Sequence, residues 1–427
     1  MLNDFLKENR LEIDKDGNII EIVGKGVIPE ILSVWFQQRK DMRKKAAECR
    51  KSGDNAGYVF NNQRQQVWKI LLNSMYGVLG LPIFRFYDVD NAEAVTTTGV
   101  TIIKTTALAI NSYYKQALGN TETKDYVIYT DTDSCFVDAI PIIKKRFPDI
   151  DFNNDAAMTE AIMVVTGEVQ KYVNNFYDIM ASNIFNLTER RFGEKTHTFD
   201  AKQEVISKTS FWLAKKRYAQ WIIHKEGALL DKPELEVKGI DMVRTSFPIS
   251  FRAFMKLFLE KILTNCPQKQ LDEIILDFKA KIPTLDVIEL AKNTSVKFVS
   301  KKSGTNYNPE GRRMFEIISG SPAQVKASLA YNDLLRKWGL DEQYEPIRHS
   351  QKIKWIYLQQ NPHNVEAIAF KADGTDPKKI MEYAKAYIDR TAMFEHELKS
   401  KLIDFYNVFH WEFPNESMKI AEQFFSF

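Results

Sequence analysis

Apolar residues recur at helical spacing through two long stretches early in the chain. Over 27–51 ("VIPEILSVWFQQRKDMRKKAAECRK"), Ile31, Val34 and Trp35 fall in helical register, and Pro29 sits near the start, where its missing N–H is tolerated. "SGDNAG" (52–57) interrupts the pattern with turn residues, and a second helical pattern runs through 58–80. "LPIF" closes it, and a third helix is predicted near 91–118. The period then changes: "YVIY" and "CFV" read as strands around a tight turn at 126–139, before another helix around 155–182. A strand meander follows over 197–238, carried by "HTFDAKQEVIS", "SFWLAKKRYAQWIIH" and "PELEVKG". Ahead of all this, "DKDGN" reads as a turn between two short strands. After "RTSFP" (244–248) the pattern predicts helices at 249–264, 268–281 and 284–292. A Lys-, Gly- and Asn-rich loop (300–313), a helix at 322–337 and an irregular tail complete it. This change of character places a domain boundary near Thr245.

Composition narrows the class. A chain of 427 residues is too long for one compact core and implies two or three domains. Hydrophobic content of 44% with 27% charged residues fits a folded chain and excludes a disordered one. The net charge of +3 is small, so any nucleic-acid surface has to be a local cluster of basic residues. Three cysteines (Cys49, Cys135 and Cys266) lie far apart with no C-x-x-C, which argues against a disulfide framework or a thiolate zinc site and fits a reducing compartment. The first twenty residues hold no apolar signal core, and no uncharged apolar run approaches membrane-spanning length. The expected location is the cytoplasm, with no membrane partner.

Two clusters carry candidate chemistry. In the predicted helical hairpin, Arg39 lies fifteen residues before Asp54 and Lys69 fifteen after it, which puts both about 22 Å from the turn at 1.5 Å per residue. Arg43 follows Arg39 by one turn, Asn73 follows Lys69, and Tyr76 and Gly77 continue that face. Such a face suits a triphosphate, because guanidinium forks and ammonium charges neutralise phosphate oxygens. From charge alone, a solvated basic helix accounts for the same residues. The matched heights are what a solvated face does not need.

The second cluster is "YTDTDS" (129–134), where Asp131 and Asp133 stand two apart and share a side if the strand persists. Two carboxylates on one side repel unless they are fully solvated or share a hard cation. A calcium EF-hand loop is excluded, since the apolar "SCFVDA" supplies no further acidic ligands and no glycine at the required place. A plain turn, a phosphate-handling metal site and a nucleotide-sugar D-x-D site remain open at this point.

With both clusters in view, the chain resembles the family B DNA polymerases, especially the replicative polymerases of T-even-type bacteriophages. "KILLNSMYG" (69–77) is similar to the family's K-x3-N-S-x-Y-G finger motif, "YTDTDS" to its Y-G-D-T-D-S palm motif, and "AKKRYA" (214–219) to its K-K-R-Y primer motif. All three occur in family order. The resemblance implies an α+β, right-hand architecture. Its parts would be an N-terminal palm-edge segment (1–27), helical-hairpin fingers (28–80), an antiparallel-sheet palm (81–245) and a mostly helical thumb (246–427). Asp131 and Asp133 would hold two magnesium ions, and Arg39, Arg43, Lys69 and Asn73 would contact the triphosphate of a dNTP. Tyr76 and Gly77 would lie under the nascent base pair. Lys216 would reach the minor groove at the primer terminus, Lys215, Arg217 and Tyr218 would steady the primer strand, and Glu204 would be a palm carboxylate near the metals. The bland reading of "KKRY" is a solvent-exposed charged strand; its flanks, "SFW" and "QWII", favour a paired central strand.

Two departures matter. Thr130 stands where the family usually has glycine. The family's first catalytic aspartate, in D-x-x-S-L-Y-P upstream of the finger arginine, has no counterpart among the 38 residues before Arg39. The expectation is therefore the C-terminal half of a split DNA polymerase, with a separate chain supplying the missing aspartate and the proofreading exonuclease. "AEQFFSF" at the end implies, by the same resemblance, a sliding-clamp peptide built on Phe424, Phe425 and Phe427, and "VKFVSKKSG" (296–304) and "GRR" (311–313) are candidate phosphate contacts on product duplex. The competing class is a non-catalytic DNA-binding replication accessory protein with a retained polymerase fold. A reverse transcriptase would carry adjacent aspartates, which Thr132 here separates.

Overall fold

The computed structural model describes residues 11–13, 19–21, 26–119, 124–183, 197, 199–225, 227–298, 305–307, 313–315 and 320–414. Its contacts divide the chain into two units, 1–204 and 205–427.

In the first unit, β1 (Leu11–Ile13) pairs antiparallel with β2 (Ile19–Glu21), as the "DKDGN" turn predicts. The two expected helices are α1 (Val27–Ser52) and α2 (Asn55–Leu79). The break between them has two causes. Gly53 takes a left-handed φ of 76°, open to glycine without a Cβ penalty, and Asp54 caps α2 by accepting the Gly57 N–H at 2.9 Å. α3 (Val89–Leu118) starts on an Asp88 cap and stops at Gly119, again left-handed. A hairpin of β3 (Val127–Asp131) and β4 (Ser134–Val137) follows, then α4 (Ile140–Arg146) and α5 (Asp155–Asn183). The core of this unit lies under α3, α4 and α5, around Tyr114, Ile142, Ile143, Val165 and Met180. The α1–α2 hairpin contributes only Ala46 and Gln65 as buried residues among those described.

The second unit opens on an antiparallel meander of β5 (Val205–Ala214), β6 (Arg217–Lys225) and β7 (Ala228–Lys238), with β6 in the middle. The helices α6 (Ile249–Leu263), α7 (Gln268–Lys281) and α9 (Ala323–Lys337) match the predicted ones. The helix expected at 284–292 is instead a 3-10 turn (Ile282–Thr284), a single α-turn α8 (Val287–Leu290) and a strand β8 (Lys292–Ser295). The reason is local: Pro283 and the Asp286 side chain, which caps Ile288 N–H at 2.8 Å, punctuate the segment.

The expected irregular tail is also corrected. It contains β11 (Lys352–Tyr357), β12 (Ala367–Lys371), α10 (Lys378–Tyr387), α11 (Arg390–Phe394), one π-helical turn (Glu395–Lys399) and α12 (Ser400–Phe409). β8, β11 and β12 form one sheet with β11 central. A further hairpin, β9 (Thr305–Tyr307) with β10 (Arg313–Phe315), lies in the predicted Lys- and Gly-rich loop.

All named strand pairs among the described residues are antiparallel, and helices and strands occupy separate stretches of the chain, which is an α+β pattern. The contact division precedes the expected boundary at Thr245. Phe211 of β5 and Ala219 of β6 are buried in the same core as Phe251, Phe254 and Phe258 of α6, so the meander folds with the helices that follow it.

Candidate functional site

The Asp131–Asp133 segment is held from behind by one buried amide. Asn111, in the last third of α3, accepts the N–H groups of Tyr126 (2.7 Å) and Val127 (3.1 Å) and donates to Asp125 at 3.0 Å. Its carbonyl oxygen and one of its two amide N–H groups go to the entry of β3, so the strand starts at a defined height on the helix. Tyr114 stacks on Tyr126 at 5.1 Å one turn further along. Sequence reasoning missed Asn111; a polar residue inside an otherwise apolar helical stripe is the signal that could have found it.

The hairpin turn itself differs from the expected persistent strand. β3 ends at Asp131, and Thr132 and Asp133 form the two-residue connection to Ser134. Thr132 has φ 50°, an uncommon left-handed value for a β-branched residue. The Asp133 N–H donates to the Asp131 carbonyl, the Ser134 hydroxyl donates to the same carbonyl at 3.1 Å, and the Thr132 hydroxyl donates to Asp131 Oδ1 at 3.1 Å. Asp131 is half-buried at the strand end and Asp133 exposed on the turn. Their proximity comes from the tight turn and not from strand alternation. Thr130 lies on β3 opposite Cys135 without a left-handed φ, so a β-branched residue is at home where the family usually has glycine.

The donor set is hard oxygen, which suits magnesium, but it is incomplete. No group of three or more His, Cys, Asp or Glu side chains placed to hold a metal occurs among the described residues. Two carboxylates from one turn leave most of an octahedral shell to water, substrate and other donors.

In the α1–α2 hairpin, Arg39 Nε donates to Gln65 at 3.4 Å, and Gln65, buried, donates to Asn62 at 2.9 Å. Trp35 faces Trp68 with ring centroids 6.2 Å apart. These contacts correct the expected equal heights: Arg39 meets Gln65, and Lys69 lies one turn further toward the open end, beside the Trp pair. Gln65, Lys69 and Asn73 still share a face at i, i+4 spacing, with Lys69, Asn73, Tyr76 and Gly77 exposed. Arg43 is exposed, while Arg39 is half-buried.

In the second unit, "KKRY" splits into two pairs. Lys215 and Lys216 form the exposed two-residue turn between β5 and β6, and Arg217 and Tyr218 begin the central strand. Tyr218 is buried and packs on Trp212 at 4.6 Å. Arg217 is half-buried and faces Asp241 and Asp404 at 3.4 and 3.6 Å. Glu204 is exposed just ahead of β5. Phe424, Phe425 and Phe427 lie outside the described residues, as do most of 296–304 and 311–313. No helix among the described residues is long and apolar enough to cross a membrane.

Comparison with known proteins agrees with this arrangement. A family model described as "DNA polymerase family B" matches residues 6–147, and one described as "Divergent Family B DNA polymerase" matches residues 114–282. Both span the Asp131 turn. Residues 6–282 are thus similar to family B DNA polymerases. It is 27% identical to the DNA-directed DNA polymerase of Enterobacteria phage T4, over 82% of this chain and 37% of the phage protein. Against the DNA-directed DNA polymerase of Escherichia phage RB69 the identity is 32%, over 48% of this chain and 22% of that protein. The DNA polymerase of Paramecium bursaria Chlorella virus NY2A is 25% identical over 88% of this chain and 34% of its own length. The aligned stretches thus cover about a third or less of these relatives.

Proposed function

We propose that the chain carries the fingers, much of the palm and the thumb of a DNA-directed DNA polymerase that adds dNTPs to a primer 3′-hydroxyl. The observation that carries this reading is the Asp131–Asp133 turn, anchored on α3 by Asn111 and spanned by both family models. The primer 3′-oxygen attacks the α-phosphorus of the dNTP, its proton is lost, and pyrophosphate leaves. Two magnesium ions held by Asp131 and Asp133 would lower the pKa of the attacking hydroxyl and offset the charge on the leaving oxygen. Arg39, Arg43, Lys69 and Asn73 orient the triphosphate from the hairpin, and Tyr76 and Gly77 pack under the new base pair. Lys215 and Lys216, at the exposed turn, contact the primer backbone and its minor groove.

Asp131 and Asp133 are too few ligands for two ions, and the motif that would add the next carboxylate is not among these residues. In our reading a separate polypeptide brings that aspartate together with a proofreading exonuclease. The Phe424–Phe427 peptide docks on a sliding clamp. Proteins named DNA polymerase among the relatives support the activity.

The test is primer extension with magnesium. The chain mixed with a polypeptide bearing D-x-x-S-L-Y-P is expected to extend a primed template, and Asp131→Asn to reduce that rate by at least about a thousandfold, the scale of losing a principal electrostatic group. Equal extension without the second polypeptide removes the two-chain arrangement. An unchanged rate for Asp131→Asn removes the catalytic reading in favour of an accessory role. Deleting 421–427 should abolish clamp-stimulated synthesis only; equal loss of unstimulated synthesis counts against the clamp peptide.

A further inference from the structure

The turn that would hold the primer is itself held, and by residues far away in sequence. Lys216 takes a left-handed φ of 61°, which is costly for a residue with a Cβ. Its carbonyl lies against the Gly239 backbone so closely that a Cβ on Gly239 would sit 1.9 Å from it, and the stem of Arg217 lies 3.3 Å from the same point. The Arg217 guanidinium then reaches Asp241 Oδ2 at 3.4 Å and Asp404 Oδ2 at 3.6 Å, while Arg244 takes Asp241 Oδ1 at 3.2 Å. Two guanidinium groups and two carboxylates balance in charge. Beside this network Phe211 of β5 stacks on Phe405 of α12 at 5.2 Å and meets Phe409 at 5.3 Å with the rings tilted. α12, the last helix among the described residues, is thus joined to β5 by aromatic rings and to the start of β6 by charge.

We propose that Arg217, with Asp241 and Asp404, is a latch that keeps the Lys215–Lys216 turn in its bound shape, and that Arg217 does not itself contact DNA. For DNA this rests on the primer-binding reading above; the latch stands on the contacts alone. Both carboxylates lie on Nη2 of Arg217 and offset its charge, which weakens the pull of this guanidinium on a phosphate. The proposal has a counter-intuitive sign. Removing the Asp404 carboxylate makes the surface more positive, and simple attraction would tighten binding to a polyanion. If Asp404 positions the turn, the same change weakens binding.

The experiment uses the 427-residue chain with a fluorescent primer–template duplex, with affinity measured over a range of salt concentrations. Asp404→Ala is expected to weaken binding about two- to fivefold, the scale of losing an exposed ion pair, without changing the slope of affinity against salt. Asp404→Glu should restore it, and Arg217→Ala should add nothing on top of Asp404→Ala. Tighter binding by Asp404→Ala overturns the latch, as does a slope reduced by about one counterion in Arg217→Ala, the mark of a lost phosphate contact. Hydrogen exchange without DNA supplies the second readout: the amides of 215–217 should exchange faster in Asp404→Ala while the α6 amides stay protected. Unchanged exchange at the turn sinks the proposal. If Asp404→Ala gives this exchange response but the wild-type chain binds no primer–template, the primer reading is refuted and the latch stands.

Discussion

The α1–α2 hairpin and the α6 helix both carry many apolar side chains, α6 the larger share, and use them in opposite ways. On α6, Phe251, Met255, Phe258 and Leu259 are inaccessible to water and meet β5, β6, α7, α9 and α12 in one core. On the hairpin, Val34, Phe36, Val59, Phe60, Val67 and Ile70 are each about half exposed or more. Two helices alone cannot cover two apolar faces, so the hairpin relies on its Trp35–Trp68 and Arg39–Gln65 contacts, its caps and its own helical hydrogen bonds. Elements with few buried apolar contacts open at low free energy. A segment proposed to close over an incoming nucleotide belongs to that class, and a platform for duplex belongs to the other.

The largest expected effect tests this contrast directly. Phe258→Ala removes a fully buried ring that packs on Phe405 and Tyr406 and should cost about 3–5 kcal/mol in denaturant unfolding followed by fluorescence. Phe60→Ala, at 57% exposure, should change stability by no more than about 0.5 kcal/mol. Equal costs would mean that the hairpin's apolar face is covered in solution. A pair of glycines sharpens the comparison at the level of the backbone. Gly239→Ala meets the Lys216 carbonyl and a left-handed φ of 64°, and should destabilise the second unit by more than about 1 kcal/mol. Gly77→Ala, helical with open space around its Cβ position, should instead slow amide exchange along α2 by stabilising the helix up to about 1 kcal/mol.

The smallest effect concerns pH. His224 on β6 is buried, and its Nδ1 has no hydrogen-bond partner; burial holds its pKa below the ordinary 6.5. The folded chain therefore keeps it neutral while the unfolded chain takes up a proton below that value. Its contribution is complete above pH 6.5 and declines as the pH falls toward the depressed folded pKa. The second unit should lose stability on acidification through this window, and His224→Gln should flatten the slope. A slope that is the same in the variant removes His224 as its source.

Much of the first unit was legible in the sequence, because its signals are local. Apolar spacing marked α1, α2, α3 and α5, Gly53 and Asp54 marked the break between the first two helices, and the short β-prone runs around Thr132 marked the hairpin. The second half was read less well. "KIKWIY" pairs with "AIAFK" on one side and, across more than fifty residues, with "KNTS" on the other, so their strand character depends on partners that a local pattern does not contain.

What the sequence by itself determined is the set of element types in the first half, the resemblance to one polymerase family, and the residues that could carry chemistry: the two aspartates, the hairpin cations and the paired lysines. Each follows from neighbours within a few positions, where spacing and turn propensity act. Only the tertiary structure decided how those residues are used. It set Arg39 on Gln65 instead of level with Lys69, tied β3 to Asn111, and turned Arg217 onto Asp241 and Asp404. A charged or amide side chain has many reachable partners in an open chain. Which one it keeps is settled when distant elements pack and the remaining choices are left desolvated or out of reach.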